Sequence, residues 1–253
     1  MNNLFYTKKE LENKPRVFEI SLNSMDIAYL KQDNELKKHI GHSFQKLLYI
    51  ITKNPMLMPT VLDENKTLFE VNKLEKLIQN GINVPKVIYS TDYYFIMEYV
   101  GEGIIDYINH NINESEIILK KLIQSLAMLH LKGFIHGGSQ IRNFTIKNNQ
   151  IYMIDFEENV KNEYFDDFKL RDLIIFILSL EKYRIPYEIT TLLGYYNDAS
   201  GDIDTNNKIK NFFNKYKWIK FINLNIFKKL RIKDVRDFVS VIEKVEKIKE
   251  DNI

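Results

Sequence analysis

The sequence predicts an α+β fold, with strands gathered before about residue 99 and helices dominating after it. Three observations carry this expectation. Two short runs rich in strand formers lie between Arg16 and Lys31, and a second such pair lies between Val87 and Val100. Beyond residue 100 the apolar residues recur instead at helical spacing over long stretches. At 253 residues and 45% hydrophobic content, the chain can bury one large core or two smaller ones.

Taken in order, residues 16–22 and 25–31 read as two strands joined at Asn23 and Ser24. Residues 67–77 have helical period and run into Gly81 and Pro85, and residues 87–89 and 93–100 form the second strand pair, leading to Gly101 and Gly103. A helix follows over 113–132, with a stripe of Ile118, Leu119, Leu122, Ile123, Leu126 and Leu129, a cap from Asn113 and Glu116, and Gly133 at its end. Residues 144–147 and 150–154 flank Asn148 and Asn149, which is hairpin chemistry. Residues 168–180 are apolar nearly all round and predict a buried helix, and 235–249 is amphipathic and predicts a terminal helix docked on the domain.

The hairpin is where chemistry concentrates. It brings Asn143, just before its first strand, toward Asp155, at the end of its second, so that an amide and a carboxylate can present oxygen ligands to one divalent cation. An aspartate closing an apolar strand is otherwise an inconvenient charge at the edge of a core.

The run His136 to Asn143 (HGGSQIRN), followed by Asp155, Phe156 and Glu157, resembles the catalytic loop and metal motif of the protein-kinase-like superfamily. Within it, the chain is similar to bacterial lipopolysaccharide-core (Kdo/heptose) kinases and the small KEOPS-complex kinase. The resemblance runs from about Arg16 to Leu180 and is strongest from His130 to Glu158. It implies a two-lobed fold: a small mixed β/α N-lobe, residues 1–99, with an inserted helical element at about 36–60, and a mainly helical C-lobe, residues 100–253. It further implies ATP and Mg2+ as cofactors, with Asn143 and Asp155 as metal ligands. Lys31 would grip the phosphates and Glu70 orient it, with Glu75 in reserve for Glu70 and Lys46 or Lys53 for Lys31. Met97 would be the gatekeeper, and Glu98, Tyr99 and Val100 would offer main-chain groups to adenine. Asp172 matches a structural aspartate that braces the catalytic loop.

Two departures shape the functional expectation. No glycine-rich phosphate loop precedes Arg16, and Gly138 stands where the family's loop carries the aspartate that accepts the proton of the attacking hydroxyl. General-base assistance contributes roughly 10²–10⁴ in rate, whereas phosphoryl transfer depends mainly on positioning and charge neutralisation. The expected function is therefore an atypical ATP-dependent phosphotransferase acting on a hydroxyl of a sugar, lipid or protein. The alternative is a nucleotide-binding pseudokinase with a regulatory or scaffolding role. Glu157, Glu158 or a carboxylate on the substrate would replace the base, and Gln140 and Arg142 line the place left by it.

Composition narrows the setting. Without cysteine, disulfides and thiolate metal sites are excluded, and with no long apolar amino-terminal stretch or uncharged span the expectation is a cytoplasmic protein, with the inner membrane face as a peripheral location. The net charge is only +2, but residues 207–233 hold nine lysine or arginine residues, no acid and six aromatics. That segment is a candidate contact for an anionic membrane or lipopolysaccharide precursor, and less so for nucleic acid. The plainer reading turns its aromatics into the helical core.

Overall fold

β1 (Val17–Ser21) and β2 (Ile27–Gln32) pair antiparallel, and β2 pairs in turn with β5 (Tyr94–Glu98), whose other edge carries β4 (Val87–Ser90). The sheet order is therefore β1-β2-β5-β4. This computed structural model describes residues 5–22, 26–33, 61–62, 66–159, 162–221 and 233–248. β5 is central, and Tyr94, Phe95, Ile96 and Met97 are all buried, which explains its unbroken apolar run. One face of the sheet packs Ile20, Ala28, Leu30, Tyr94 and Ile96 around Leu11. Leu11 ends the short helix α1 (Lys8–Leu11), which a reciprocal Thr7–Glu10 capping box starts.

Helix α2 (Lys66–Gln79) buries Thr67, Glu70, Val71, Leu74 and Leu77, the i, i+3, i+4, i+7 and i+10 positions of one face. Each buried leucine or valine there contributes about 1.5–3 kcal/mol relative to exposure. Glu70 is the exception in kind, a carboxylate on the apolar stripe, and its partners are described below.

The short strand β3 (Val61–Leu62) pairs with β9 (Glu158–Asn159). β6 (Glu102–Gly103), β7 (Phe144–Lys147) and β8 (Gln150–Met153) make a third sheet. Asn148 and Asn149 at the β7–β8 turn have φ of 50° and 62°, the left-handed pair of a type I′ turn, as expected of an Asn-Asn hairpin. Gly101 has φ +97°, and a Cβ there would lie 1.9 Å from the Ile146 carbonyl oxygen, so only glycine lets this segment pass against β7.

Among the helices, α3 (Ile104–His110) and a 3-10 turn at Ile112–Glu114 precede α4 (Ser115–Leu131). The expected cap from Asn113 and Glu116 is corrected here. Glu114 occupies the cap position in a right-handed helical conformation with no side-chain cap bond, because the 3-10 turn delivers the chain already helical. Glu116 instead accepts a hydrogen bond from Tyr195 Oη at 3.2 Å. The buried helix expected at 168–180 is α5 (Phe165–Lys182), followed by α6 (Ile189–Ser200), α7 (Thr205–Lys215) and α8 (Lys233–Val245). No described helix is long and apolar enough to cross a membrane.

The chain divides into two units. One comprises Met1–Gly103, His136–Gly138 and Asn143–Phe165; the other comprises Ile104–Ile135, Ser139–Arg142 and Asp166–Ile253. The α+β expectation holds, with antiparallel sheet ahead and helices behind.

In the second unit, buried Glu181 of α5 accepts hydrogen bonds from Lys244 and Ser240 of α8. Burial pulls the Glu181 carboxyl upward, but the bonds from Lys244 and Ser240 more than offset it and hold the group below the usual carboxylate range. A lowered folded value means that this stabilisation is present above the unfolded pKa and lost as pH falls through the folded one. Glu181→Gln is therefore expected to cost about 1–3 kcal/mol at pH 7. In urea melts, the difference from wild type should shrink below about pH 4.

Candidate functional site

The second position from the end of β2 places Lys31 on a buried strand, with only 5% of the residue exposed. An ammonium so buried must be neutralised. Lys31 Nζ donates to Glu70 Oε1 at 2.9 Å and Asp155 Oδ1 at 2.6 Å, and lies 2.7 Å from Glu157 Oε1. Glu70 is held in turn by the Phe156 amide, which donates to its Oε1 at 3.2 Å. Glu75, the reserve, is exposed on the far side of the same helix. Lys46 and Lys53 lie outside the described residues.

Arg16 adds a second cation, pairing with Glu157. It is positioned by Gln32, whose Nε2 donates to the carbonyls of Leu11, Lys14 and Pro15, each at 3.0 Å, while the Gln32 amide donates to the Arg16 carbonyl at 2.9 Å. The segment leading into β1 is thus clamped to β2. Arg16 carries no motif signal; its place at the head of β1 was the only hint of it in the sequence.

Among the described residues, two cations therefore face three carboxylates, Glu70, Asp155 and Glu157, which can each offer an oxygen within 4.8 Å of the others. The shortfall of one positive charge, and the hard oxygen donors, suit a divalent cation such as Mg2+. Asp155 has φ +71°, a left-handed backbone that aspartate tolerates better than most residues. Burial acts to raise its carboxyl pKa, but the charge and hydrogen bond of Lys31 and the charge of Arg16 hold it below the usual carboxylate range.

The hairpin ties the Asn143 backbone to the residue before Asp155. The Ile154 amide donates to the Asn143 carbonyl at 2.9 Å, so the residues flanking β7 and β8 stay side by side, and Asn143 Nδ2 donates to the Gly138 carbonyl at 2.7 Å. His136 is fully buried and its ring stacks on Phe156, with centroids 4.4 Å apart, a packing role.

The structure thus brings Lys31, Glu70, Asp155 and Glu157 into direct contact and sets Asn143 against Gly138. Gln140 and Arg142 belong to the other unit, Gln140 half-buried and Arg142 exposed. There the loop is braced by α5: Ser139 Oγ donates to the Asp172 carbonyl at 2.5 Å and the Ile141 amide to Ser179 Oγ at 2.8 Å. The Asp172 carboxylate faces His130 Nε2 at 3.2 Å.

Met97 is buried on β5, and the main chain after it is already engaged. The Glu98 amide donates to the Lys86 carbonyl at 2.9 Å, the Tyr99 carbonyl accepts from Lys147 Nζ at 2.7 Å, and the Val100 carbonyl accepts from Thr145 Oγ1 at 2.8 Å. Each carbonyl keeps a second lone pair. In the basic segment, Phe212, Phe213 and Tyr216 are buried against Phe238, Lys208 pairs with Asp202 and Lys220 with Glu246. Trp218 remains 44% exposed, and residues 222–232 lie outside the described residues.

The family model described as RIO1, RIO domain, matches residues 57–189. A Haemophilus influenzae protein described as uncharacterized is 32% identical over 114 residues, 44% of this chain and 47% of the relative. The chain therefore matches about half the length of that relative.

Proposed function

As the family model spans over half of it, the chain belongs to the RIO domain family, protein-kinase-like atypical kinases, and from that membership we propose an ATP-dependent phosphotransferase. The observation that carries this reading is Lys31, bonded at once to Glu70 and to Asp155. A buried lysine oriented by one carboxylate beside a second, metal-suited carboxylate is what a nucleoside triphosphate needs: a fixed cation for its phosphate oxygens and a seat for its magnesium. In this reading Asn143 and Asp155 hold Mg2+, which supplies charge neutralisation on the phosphates. Lys31 and Arg16 bind the phosphate oxygens, Arg16 standing in for the glycine-rich loop, with a planar fork suited to them. Met97, Glu98, Tyr99 and Val100 border the adenine. Residues 1–99 then serve as the nucleotide lobe and 100–253 as the helical lobe.

The acceptor is a hydroxyl on a sugar, lipid or protein. The similarity to lipopolysaccharide-core kinases favours a sugar or lipid, and the lysines of 207–233 favour an anionic one; the burial of that segment's aromatics weighs against a membrane role for them. Gly138 supports a second reading, a nucleotide-binding pseudokinase acting through a partner.

The test is ATP binding with and without magnesium, followed by transfer of the labelled terminal phosphate to fractions of a lysate. A thermal shift with ATP that grows with magnesium supports both readings, and label transfer selects the first. A melting temperature indifferent to ATP rejects both.

A further inference from the structure

Gly138 leaves the catalytic loop without its carboxylate, and another carboxylate lies against the gap. A Cβ built at Gly138 would have Glu158 Oε1 3.8 Å away and Asn143 Nδ2 3.9 Å away, with no other described atom inside 4 Å apart from its own chain neighbours. Gly137 makes room for that side chain. At φ +93°, a Cβ on Gly137 would stand 2.5 Å from Glu158 Cβ and 3.1 Å from Glu158 Oε2, so an ordinary residue there would push Glu158 away. The glycine pair is a seat for Glu158. The backbone of Glu158 is fixed as well, since it pairs with Leu62 across β3–β9 and its carbonyl accepts from Lys73 Nζ at 3.1 Å. Of the two glutamates after Phe156, Glu157 is committed to Lys31 and Arg16.

We propose that Glu158 supplies, from across the loop, the proton-accepting carboxylate that Gly138 lacks; this rests on the phosphotransferase reading. The attacking hydroxyl oxygen bonds to the terminal phosphorus as the bond from that phosphorus to the bridging oxygen breaks. ADP departs with the bond's electron pair, and the hydroxyl proton passes to the Glu158 carboxylate and then to solvent. The glycine pair and the glutamate are one device: an aspartate at 138 would crowd like charge against Glu158, and either carboxylate alone suffices.

The test uses the full chain with magnesium and ATP, water as the acceptor, phosphate release as the rate and nucleotide titration as the check on folding. Glu158→Gln is expected to slow release about 10²-fold while ATP affinity stays within about twofold. Adding Gly138→Asp to that variant, where the space admits it, is expected to restore most of the rate. A wild-type rate in Glu158→Gln overturns the assignment, as does a loss that Gly138→Asp leaves untouched. Wild-type protein that binds ATP without releasing phosphate also overturns it, whereas wild-type protein that fails to bind ATP removes the phosphotransferase reading beneath it.

Discussion

Lys31→Met is expected to abolish nucleotide binding and to lower the unfolding free energy by about 3–5 kcal/mol, the cost of stranding buried charge. Methionine keeps the length and the apolar stem of lysine, so the change isolates the ammonium. Without it, Arg16 is the cation among the described residues that still pairs with the cluster of Glu70, Asp155 and Glu157, through Glu157. Chemical denaturation at pH 7 reads the loss. Because the wild-type Asp155 carboxyl lies below its ordinary value, its share of the stability is present above the unfolded pKa and disappears as pH falls through the folded one. The gap between wild type and variant should therefore narrow below about pH 4, where the freed carboxylates protonate. If the variant is as stable as wild type at pH 7, the contacts of Lys31 are not those described. If it is destabilised yet binds ATP undiminished, the phosphate lysine is another one.

Asp155→Asn should weigh more on function than on stability. Asparagine shares the tolerance of aspartate for φ near +70°, so the backbone is spared the strain that alanine would bring. It also leaves two carboxylates for the two cations among the described residues, so removing this lowered carboxylate is expected to cost about 1–3 kcal/mol, less than Lys31→Met. Loss of the metal-binding charge, by contrast, removes several kcal/mol of transition-state stabilisation, a fall of roughly 10³-fold in transfer. Magnesium should then no longer enlarge the thermal shift with ATP. Equal label transfer by variant and wild type would reject the phosphotransferase assignment.

The site was legible wherever one local segment carried it. The Asn-Asn turn sets the β7–β8 register, and that register puts Asn143 beside Ile154 and so near Asp155. Helical period put Glu70 on the buried face of α2 and left Glu75 outside it. The helix cap misread at Asn113 and Glu116 shows the limit of such reasoning, because a 3-10 turn made the cap unnecessary. Arg16 was invisible for a different reason: its position depends on Gln32, which looks like any polar strand end until its amide is seen bridging three carbonyls. Glu158 was one of three candidates to replace the base, with Glu157 and a carboxylate on the substrate, and the structure pairs Glu157 with Lys31 and Arg16.

The sequence by itself determined the elements and the chemistry on offer: the strands, the hairpin, the lysine, the carboxylates and the missing aspartate at 138. The strands and the hairpin follow from periodicity and turn chemistry, which act over a few residues, whereas the lysine, the carboxylates and the missing aspartate at 138 are what the resemblance to the protein-kinase-like superfamily implies. Tertiary structure alone decided the partnerships, because the groups that neutralise one another lie far apart along the chain. Lys31 meets Glu70 and Asp155 across 39 and 124 positions, and no local pattern records which buried charge a distant segment will compensate.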